Sequence, residues 1–345
     1  MSASVIDTLI DKYDVDVSSY SGAINQLWNY SLFTALGFDF NNQDHRLIVY
    51  NSNILQERWA QENGFKVKND WQLEILSQQI DEFKPDIFYT NNPDYFTRDI
   101  FKLLPSCKVK AIWRAAPLTQ SNELSHFDLG LSYGKVYLDL LEKYGVKNVE
   151  KKQFSCNPQT YVNIGKQKKE IDISFAGSYH RMFVERNQLL NRVFWKLFPQ
   201  YKVNYYLSAP RGRFGRKYIA PFLYLVDRPP VYLHEFLKVI SKSKIVFNRH
   251  SDMSKEYKGN MRVFETLGVG SFMLSDEGVY PEHLIPEEDF VTYSNEKDLI
   301  DKLKYYLKNE AEREDIAANG QRKLFKYYSL SKGGEELKQI FAKYL

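Results

Sequence analysis

Arg262 and Glu265 stand three residues apart within the stretch Ser243 to Asp276, SKIVFNRHSDMSKEYKGNMRVFETLGVGSFMLSD. On a helix that spacing brings both side chains to one face. A guanidinium suits phosphate, and a carboxylate suits paired sugar hydroxyls because it accepts two hydrogen bonds in one plane. Together they describe a site for a nucleoside diphosphate. The plainer alternative is a helix-surface ion pair, with Gly268 and Gly270 doing no more than ending the helix.

The elements that must position this pair can be read around it. Lys244 to Phe247 is an apolar strand, Met261 to Leu267 has helical spacing, and a Gly-X-Gly break precedes a second strand from Ser271 to Leu274. This is one unit of a parallel α/β sheet. Asn248, Arg249 and His250 follow the first strand, and ligands of open α/β sheets bind outside the carboxyl ends of strands. Asn260 or Ser254 is placed to cap the helix, whose amino end then offers free N–H groups and a positive dipole to an anion in the same crevice.

Asn248, His250, Arg262, Phe264, Glu265, Gly268 and Gly270 resemble the nucleotide-binding core of the CgeB-like (YkvP-type) glycosyltransferases, a branch of the GT-B class. There a strand ending near Asn-x-His leads to an Arg-x-Phe-Glu helix and a small-residue turn. DISFAGS at Asp172 to Ser178 resembles the strand-to-helix turn opening that family's second domain, and FKPDIFY at Phe83 to Tyr89 a strand of its first. The resemblance covers the second half well and the amino-terminal third loosely. It implies two Rossmann-like domains with parallel sheets facing across a cleft. It also implies transfer of a sugar from a nucleotide-diphosphate donor to a glycan, glycoprotein or lipid-linked acceptor, as in cell-surface polysaccharide synthesis.

On that reading Gly177, Ser178, Arg181, Asn248, Arg262, Glu265 and Gly268 hold the donor, with Glu265 on the ribose hydroxyls. His250 acts catalytically at the diphosphate or the sugar near the anomeric carbon. The leaving diphosphate is stabilised by amides, Arg262 and the helix end, so no metal and no cofactor beyond the donor sugar nucleotide is called for. Many retaining GT-B enzymes carry two glutamates eight positions apart; here Tyr257 stands eight before Glu265, with Glu256 one step off. Retention or inversion therefore stays open.

Length and composition agree with a two-domain protein. The chain has 345 residues, and domains usually run to about 100–200. Hydrophobic residues make up 43% and charged residues 26%, which speaks against disorder. Apolar runs fall short of the ~18 residues that span a bilayer, and MSASVIDTLIDKYD lacks the basic-then-apolar order of a signal peptide. The expected location is the cytoplasm, with room for peripheral contact at the inner membrane face. Cys107 and Cys156 sit in no CxxC or Cys/His cluster, so disulfide frameworks and zinc sites lack support. A net charge of +4 is too mild to call for nucleic acid.

In chain order, Asp14-Val15-Asp16 reads as a solvated turn, and Ile24, Leu27, Trp28, Leu32 and Leu36 predict a helix near 22–36. From Arg46 strand and helix alternate: RLIVYN, then WQLEILSQQIDEF, DIFYT, VKAIW and FDLGLS, then a helix from about Lys135 to Tyr144. Such alternation predicts βαβ units. Residues 1–160 thus form a Rossmann-like domain, which the resemblance places on the acceptor side. Asn51, Asn53, Asn91, Asn92, Asp94, Arg114, Thr119, Ser132 and Tyr133 are assigned to its strand ends. Glu123, His126 and Asp128 are the ionisable candidates nearby; His126 is a candidate general base, against the alternative of a hydrogen-bonded structural histidine.

NPQTYVNIGKQKKE at 157–170 reads as an interdomain linker. Residues 170–330 form the donor domain. There Gly177-Ser178 lies between a strand and a helix from about Phe183 to Phe198, which lets backbone N–H groups approach a diphosphate. Arg181 is a candidate phosphate contact, or else part of a solvated basic surface with His180 and Arg186. SAPRGRFGRKYIAPFLYLVDRPP reads as a loop with a short packed element. Leu299, Leu303 and Tyr306 mark a helix, and residues 331–345 a terminal helix that the resemblance sends back onto the first domain. A binding module of GT-B fold without catalysis remains the alternative. A Rossmann oxidoreductase is opposed by the lack of Gly-x-Gly-x-x-Gly after an early strand, and a P-loop kinase by the lack of Gly-Lys-Ser/Thr.

Overall fold

Apolar runs and amphipathic stripes alternate through the chain, and in the computed structural model they become two parallel sheets, each within its own unit. The structure describes residues 3–29, 45–66, 71–116, 118, 123–179, 183–208, 225, 227–228, 231 and 233–345. Unit 1 comprises Met1–Lys152 and Gly333–Leu345; unit 2 is Gln153–Lys332.

Unit 1 begins with helices α1 (Ala3–Lys12), α2 (Tyr20–Asn29), α3 (Asn53–Glu62) and α4 (Trp71–Phe83). Then come β1 (Ile87–Thr90), α5 (Arg98–Leu103), β2 (Val109–Trp113), β3 (Leu129–Ser132), α6 (Lys135–Lys143) and β4 (Asn148–Lys151). The strands pair in parallel in the order β1-β2-β3-β4. Leu76, Ile80, Phe96, Ile112, Phe127 and Leu141 are part of the buried cluster beside them. Asp14 and Asp16 are exposed, and Asp16 accepts the Ser18 N–H at 2.8 Å, so Asp-x-Asp is indeed a turn.

Two expectations need correction, and one is seen only in part. RLIVYN is not a strand: the Val49 carbonyl accepts from Gln56 Nε2 at 3.0 Å and the Ser52 N–H at 3.3 Å. The end of the run leads into α3, where Ser52 also serves as N-cap. The helix expected near 22–36 is seen from Tyr20 to Asn29; residues 30–36 lie outside the described residues. The stretch read as linker holds helix α7 (Pro158–Ile164), started by an Asn157 cap with proline in the first turn and followed by Gly165 at φ 65°, as Asn-Pro and glycine favour.

Unit 2 continues with β5 (Ile171–Ser178), α8 (Val184–Leu197), β6 (Val203–Ser208), β7 (Asp227–Arg228), α9 (Leu233–Ser241), β8 (Ser243–Asn248), α10 (Met261–Gly268), β9 (Phe272–Asp276) and β10 (Val291–Tyr293). Helices α11 (Glu296–Lys308), α12 (Glu310–Tyr328) and α13 (Leu330–Phe341) close the chain. The six parallel strands run β7-β6-β5-β8-β9-β10, the doubly wound order in which the second half of the sheet departs from the first strand in the opposite direction. Phe175, Tyr205, Phe247, Phe272 and Leu274 are buried in its core. Within unit 1, α13 buries Leu337, Ile340 and Phe341; Phe341 meets Tyr89 at 5.9 Å, and Glu336 pairs with buried Lys152 at 3.0 Å.

Candidate functional site

In unit 2 the strand order reverses between β5 and β8. Their ladder runs from Ile171 and Ser243 to Ser174 and Val246. Beyond that point β5 keeps pairing with β6 through Ser178, while β8 pairs with β9 to Asn248. The two central strands part, and the opening at their carboxyl ends is the crevice that this topology provides. Phe175, Ala176, Gly177 and Ser178 form the β5 stretch beyond the split. Gly177 belongs to the strand rather than to a left-handed turn; a Cβ there would stand 3.2 Å from the Phe175 ring.

Two helices start at this edge. Among the described residues no side chain caps the first turn of α8, and a helix amino end favours an anion. Helix α10 is capped by Asn260, whose Oδ1 accepts the Val263 N–H at 3.3 Å, as its sequence predicts. The Asn248 side chain is buried and donates to Ser275 Oγ at 3.2 Å and Asn260 Oδ1 at 3.4 Å. It ties β8, β9 and the α10 cap together.

Three guanidinium groups meet here. Arg186, 7% exposed, lies over the Phe183 ring at 4.1 Å and donates through Nη2 to the Ser178 carbonyl. Its Nε is buried without a hydrogen-bond partner among the described residues. Burial lowers its pKa to about 10; the charges of Arg249 and Arg262 push the same way, against Asp252. Arg249 reaches Asp276 at 3.1 Å and Glu185 at 3.5 Å. Arg262 pairs with Glu265 at 2.9 Å, each side chain 20% exposed, and lies over the Phe236 ring at 4.0 Å. Burial lowers the Arg262 pKa and raises that of Glu265, each opposed by its partner.

A buried carboxylate organises the loop between β8 and α10. Asp276 accepts from the His250 N–H at 3.0 Å, His250 Nδ1 at 2.8 Å, Arg249 Nη1 at 3.1 Å and Lys258 Nζ at 2.9 Å. Burial alone would raise its pKa, but His250 and Lys258 together hold it below the usual carboxylate range. His250 is buried, and that burial lowers its pKa; Asp276 opposes the shift, and Lys258 and Arg249 reinforce it.

Residues 169–339 match the family described as glycosyl transferase-like. That segment, just under half of the chain, is similar to glycosyl transferase-like domains. No curated protein matches the chain in sequence. By fold the chain is similar to a TarM variant from S. aureus, solved with fondaparinux, alpha-GlcNAc-glycerol and UDP, at 13% identity and TM-score 0.55. The match covers 81% of this chain but only 60% of the TarM chain. HepE from Anabaena in complex with UDP and glucose matches at 10% identity and TM-score 0.57, covering 85% of this chain and 89% of HepE. Sucrose-phosphate synthase from Thermosynechococcus elongatus matches at 11% identity and TM-score 0.55, covering 92% and 93%. The chain has the fold of GT-B glycosyltransferases.

Within unit 2, the structure brings Gly177, Ser178, Asn248, His250, Arg262 and Glu265 to one edge of the sheet. Arg181 lies outside the described residues, as do His180 and most of the Arg-rich segment after β6. Gly268 sits elsewhere. It ends α10 opposite the Asn260 cap, where a Cβ would stand 2.6 Å from the Tyr161 ring, so packing against α7 accounts for it.

His126 belongs to unit 1 and precedes β3, on the amino-terminal side of that strand, as does Asp128. Its Nε2 bonds the Phe96 carbonyl at 2.9 Å, and its ring contacts Phe101 and Phe127. These contacts match the structural-histidine alternative. Asp276 and Lys258 did not stand out in the sequence, and Arg186 stood there only as basic surface. Their signals were a carboxylate closing the apolar strand SFMLSD, and an arginine in line with Leu190, Val193 and Leu197 on the apolar stripe of α8.

Proposed function

We propose that this protein is a glycosyltransferase of the CgeB-like type, and that it takes its sugar from a nucleoside-diphosphate donor bound at the carboxyl edge of the unit 2 sheet. The observation that carries the reading is the convergence of Arg186, Arg249 and Arg262 with two helix amino ends where β5 and β8 part. Guanidiniums and helix amino ends both favour phosphate, and a diphosphate gains charge as the glycosidic bond breaks. One preorganised donor aimed at developing charge is worth about 2.7–4 kcal/mol of barrier. In this reading Arg186 and Arg262 supply that stabilisation in place of a metal.

Glu265 steadies Arg262 through Oε2 and leaves Oε1 for a ribose hydroxyl. Asn248 keeps the α10 amino end in register with the strand ends. UDP is the nucleotide to test first, because TarM and HepE were solved with it. The acceptor class carried by the resemblance is a glycan, glycoprotein or lipid-linked chain destined for the cell surface.

Calorimetric titration with UDP, GDP, CDP and dTDP, each without metal, tests the donor site. One nucleotide is expected to bind, with binding lost in Arg262→Ala and Glu265→Ala while both variants stay folded. Unchanged affinity in both variants contradicts the assignment. Turnover with the matching sugar nucleotide then separates an enzyme from a binding module.

A further inference from the structure

The least explained group at this edge is the second nitrogen of His250. The side chain is 1% exposed. Nδ1 lies 2.8 Å from Asp276 Oδ1, while Nε2 is buried without a hydrogen-bond partner among the described residues. Buried polar atoms without partners are rare and costly. Among the described residues, groups from several elements lie close to the ring. Asp276 comes from the end of β9, Arg249 from the end of β8, Lys258 from the following loop, and the Tyr280 ring stands edge-on with centroids 6.1 Å apart.

Asp276 already accepts from two cationic side chains, so it is a carboxylate and not a donor. Its only chemically sensible relation to Nδ1 is to accept a proton-bearing nitrogen. With Arg249 and Lys258 close by, a second proton on the ring is disfavoured; burial works in the same direction. A neutral ring with hydrogen on Nδ1 must carry its lone pair on Nε2. Since the two nitrogens point nearly opposite ways, Nε2 is turned away from β9. On the other flank of β8 lies β5, with the opening between them.

We infer that Asp276 is a positioning residue that fixes His250 as a neutral Nδ1–H imidazole, so that Nε2 accepts a hydrogen bond from a hydroxyl of the bound donor. This deepens the donor-site reading and rests on it. It also revises the expected role of His250: an acceptor nitrogen suits a hydroxyl and does not suit a phosphate oxygen. The hydroxyl is on the ribose or on the transferred sugar, and the two are separable by ligand.

The test uses the full chain labelled with nitrogen-15 histidine, the His250 signals being identified by their loss in His250→Gln. Without ligand at pH 7.5, the expected spectrum shows a protonated Nδ1 and a bare Nε2, and Asp276→Asn mixes in the other tautomer. Addition of UDP should move the Nε2 signal if the ribose supplies the hydroxyl; movement only with UDP-glucose points to the sugar. An Nε2–H tautomer or an imidazolium in the ligand-free wild type overturns the inference. So does an unmoved Nε2 signal when calorimetry shows that the nucleotide binds. If no nucleoside diphosphate binds at all, the donor reading falls and takes the ligand half of the inference with it, while the tautomer half is decided by the ligand-free spectrum.

Substitution gives a second readout. Glutamine can place its amide oxygen near the position of Nε2, so His250→Gln should retain affinity within about threefold, whereas His250→Asn and His250→Lys should lose about tenfold, the worth of one hydrogen bond. Wild-type affinity in the lysine variant would show that a cation suffices there, and the acceptor role would be wrong.

Discussion

The two sheets of this protein share parallel strands and helical crossovers yet differ in what their edges offer. In unit 1 the described strands run β1-β2-β3-β4 in chain order, so no reversal separates neighbouring strands. In unit 2 the order turns back on itself at β5 and β8, and these strands part after Ser174 and Val246. At the parting lie Arg186, Arg249 and Arg262, an imidazole nitrogen with no hydrogen-bond partner among the described residues, and the carboxylate that holds the imidazole. In unit 1, Asn92 donates to the Tyr50 hydroxyl at 2.6 Å, and His126 bonds a carbonyl on the other side of its strand. An α/β architecture alone does not make a nucleotide site; a strand reversal with cations gathered at it does.

The comparison breaks most visibly under substitution of the arginines. Arg186→Ala and Arg262→Ala should each weaken UDP about 10- to 100-fold, since hydrogen bonds to charged groups contribute about 1.5–3 kcal/mol. Calorimetry on each variant beside His126→Ala checks this. Equal losses in all three would erase the distinction between the units.

A smaller effect, in stability and not in binding, is expected at Gly268. Its missing Cβ is what lets α10 meet the Tyr161 ring, and overpacking costs about 1–3 kcal/mol. Urea unfolding of Gly268→Ala should show that loss while UDP affinity at low urea stays as in the wild type. Weakened UDP binding without destabilisation would return Gly268 to the nucleotide site.

The smallest effect is in the pH dependence. The His250 pKa is depressed in the folded state from an ordinary ~6.5. Its contribution to stability is therefore fully present above that value and lost as pH falls through the folded one. Glu265 acts with the opposite sign: burial raises its pKa, so it favours the folded state at low pH, an effect that fades as pH rises through the folded value. Thermal melts between pH 5 and 7.5 should show His250→Gln losing less stability on acidification than the wild type. A steeper loss in the variant would contradict a neutral imidazole.

Much of this was legible in the residues. The strand, loop and helix from Ser243 to Asp276, the Asn260 cap and the meeting of Arg262 with Glu265 follow from local patterns with short-range causes. RLIVYN misled because a short apolar run does not reveal whether its carbonyls will serve a sheet or the next helix. The helix at Pro158–Ile164 was hidden by its polar composition although Asn-Pro marks its start. Asp276, Lys258 and Arg186 could not be ranked from sequence, since their importance comes from partners gathered by a sheet order set by non-local pairing: Asp276 meets Arg249, His250 and Lys258, and Arg186 stands near Arg249 and Arg262. The aspartate looks like an ordinary strand end until four donors are seen to converge on it.

The central claim is tested most directly by a crystal structure of the chain with UDP. The diphosphate is expected at the parting of β5 and β8, within hydrogen-bonding distance of Arg186 or Arg262 and of the α10 amino end, with Glu265 on the ribose. UDP bound in unit 1, or in unit 2 away from these arginines, would contradict the account.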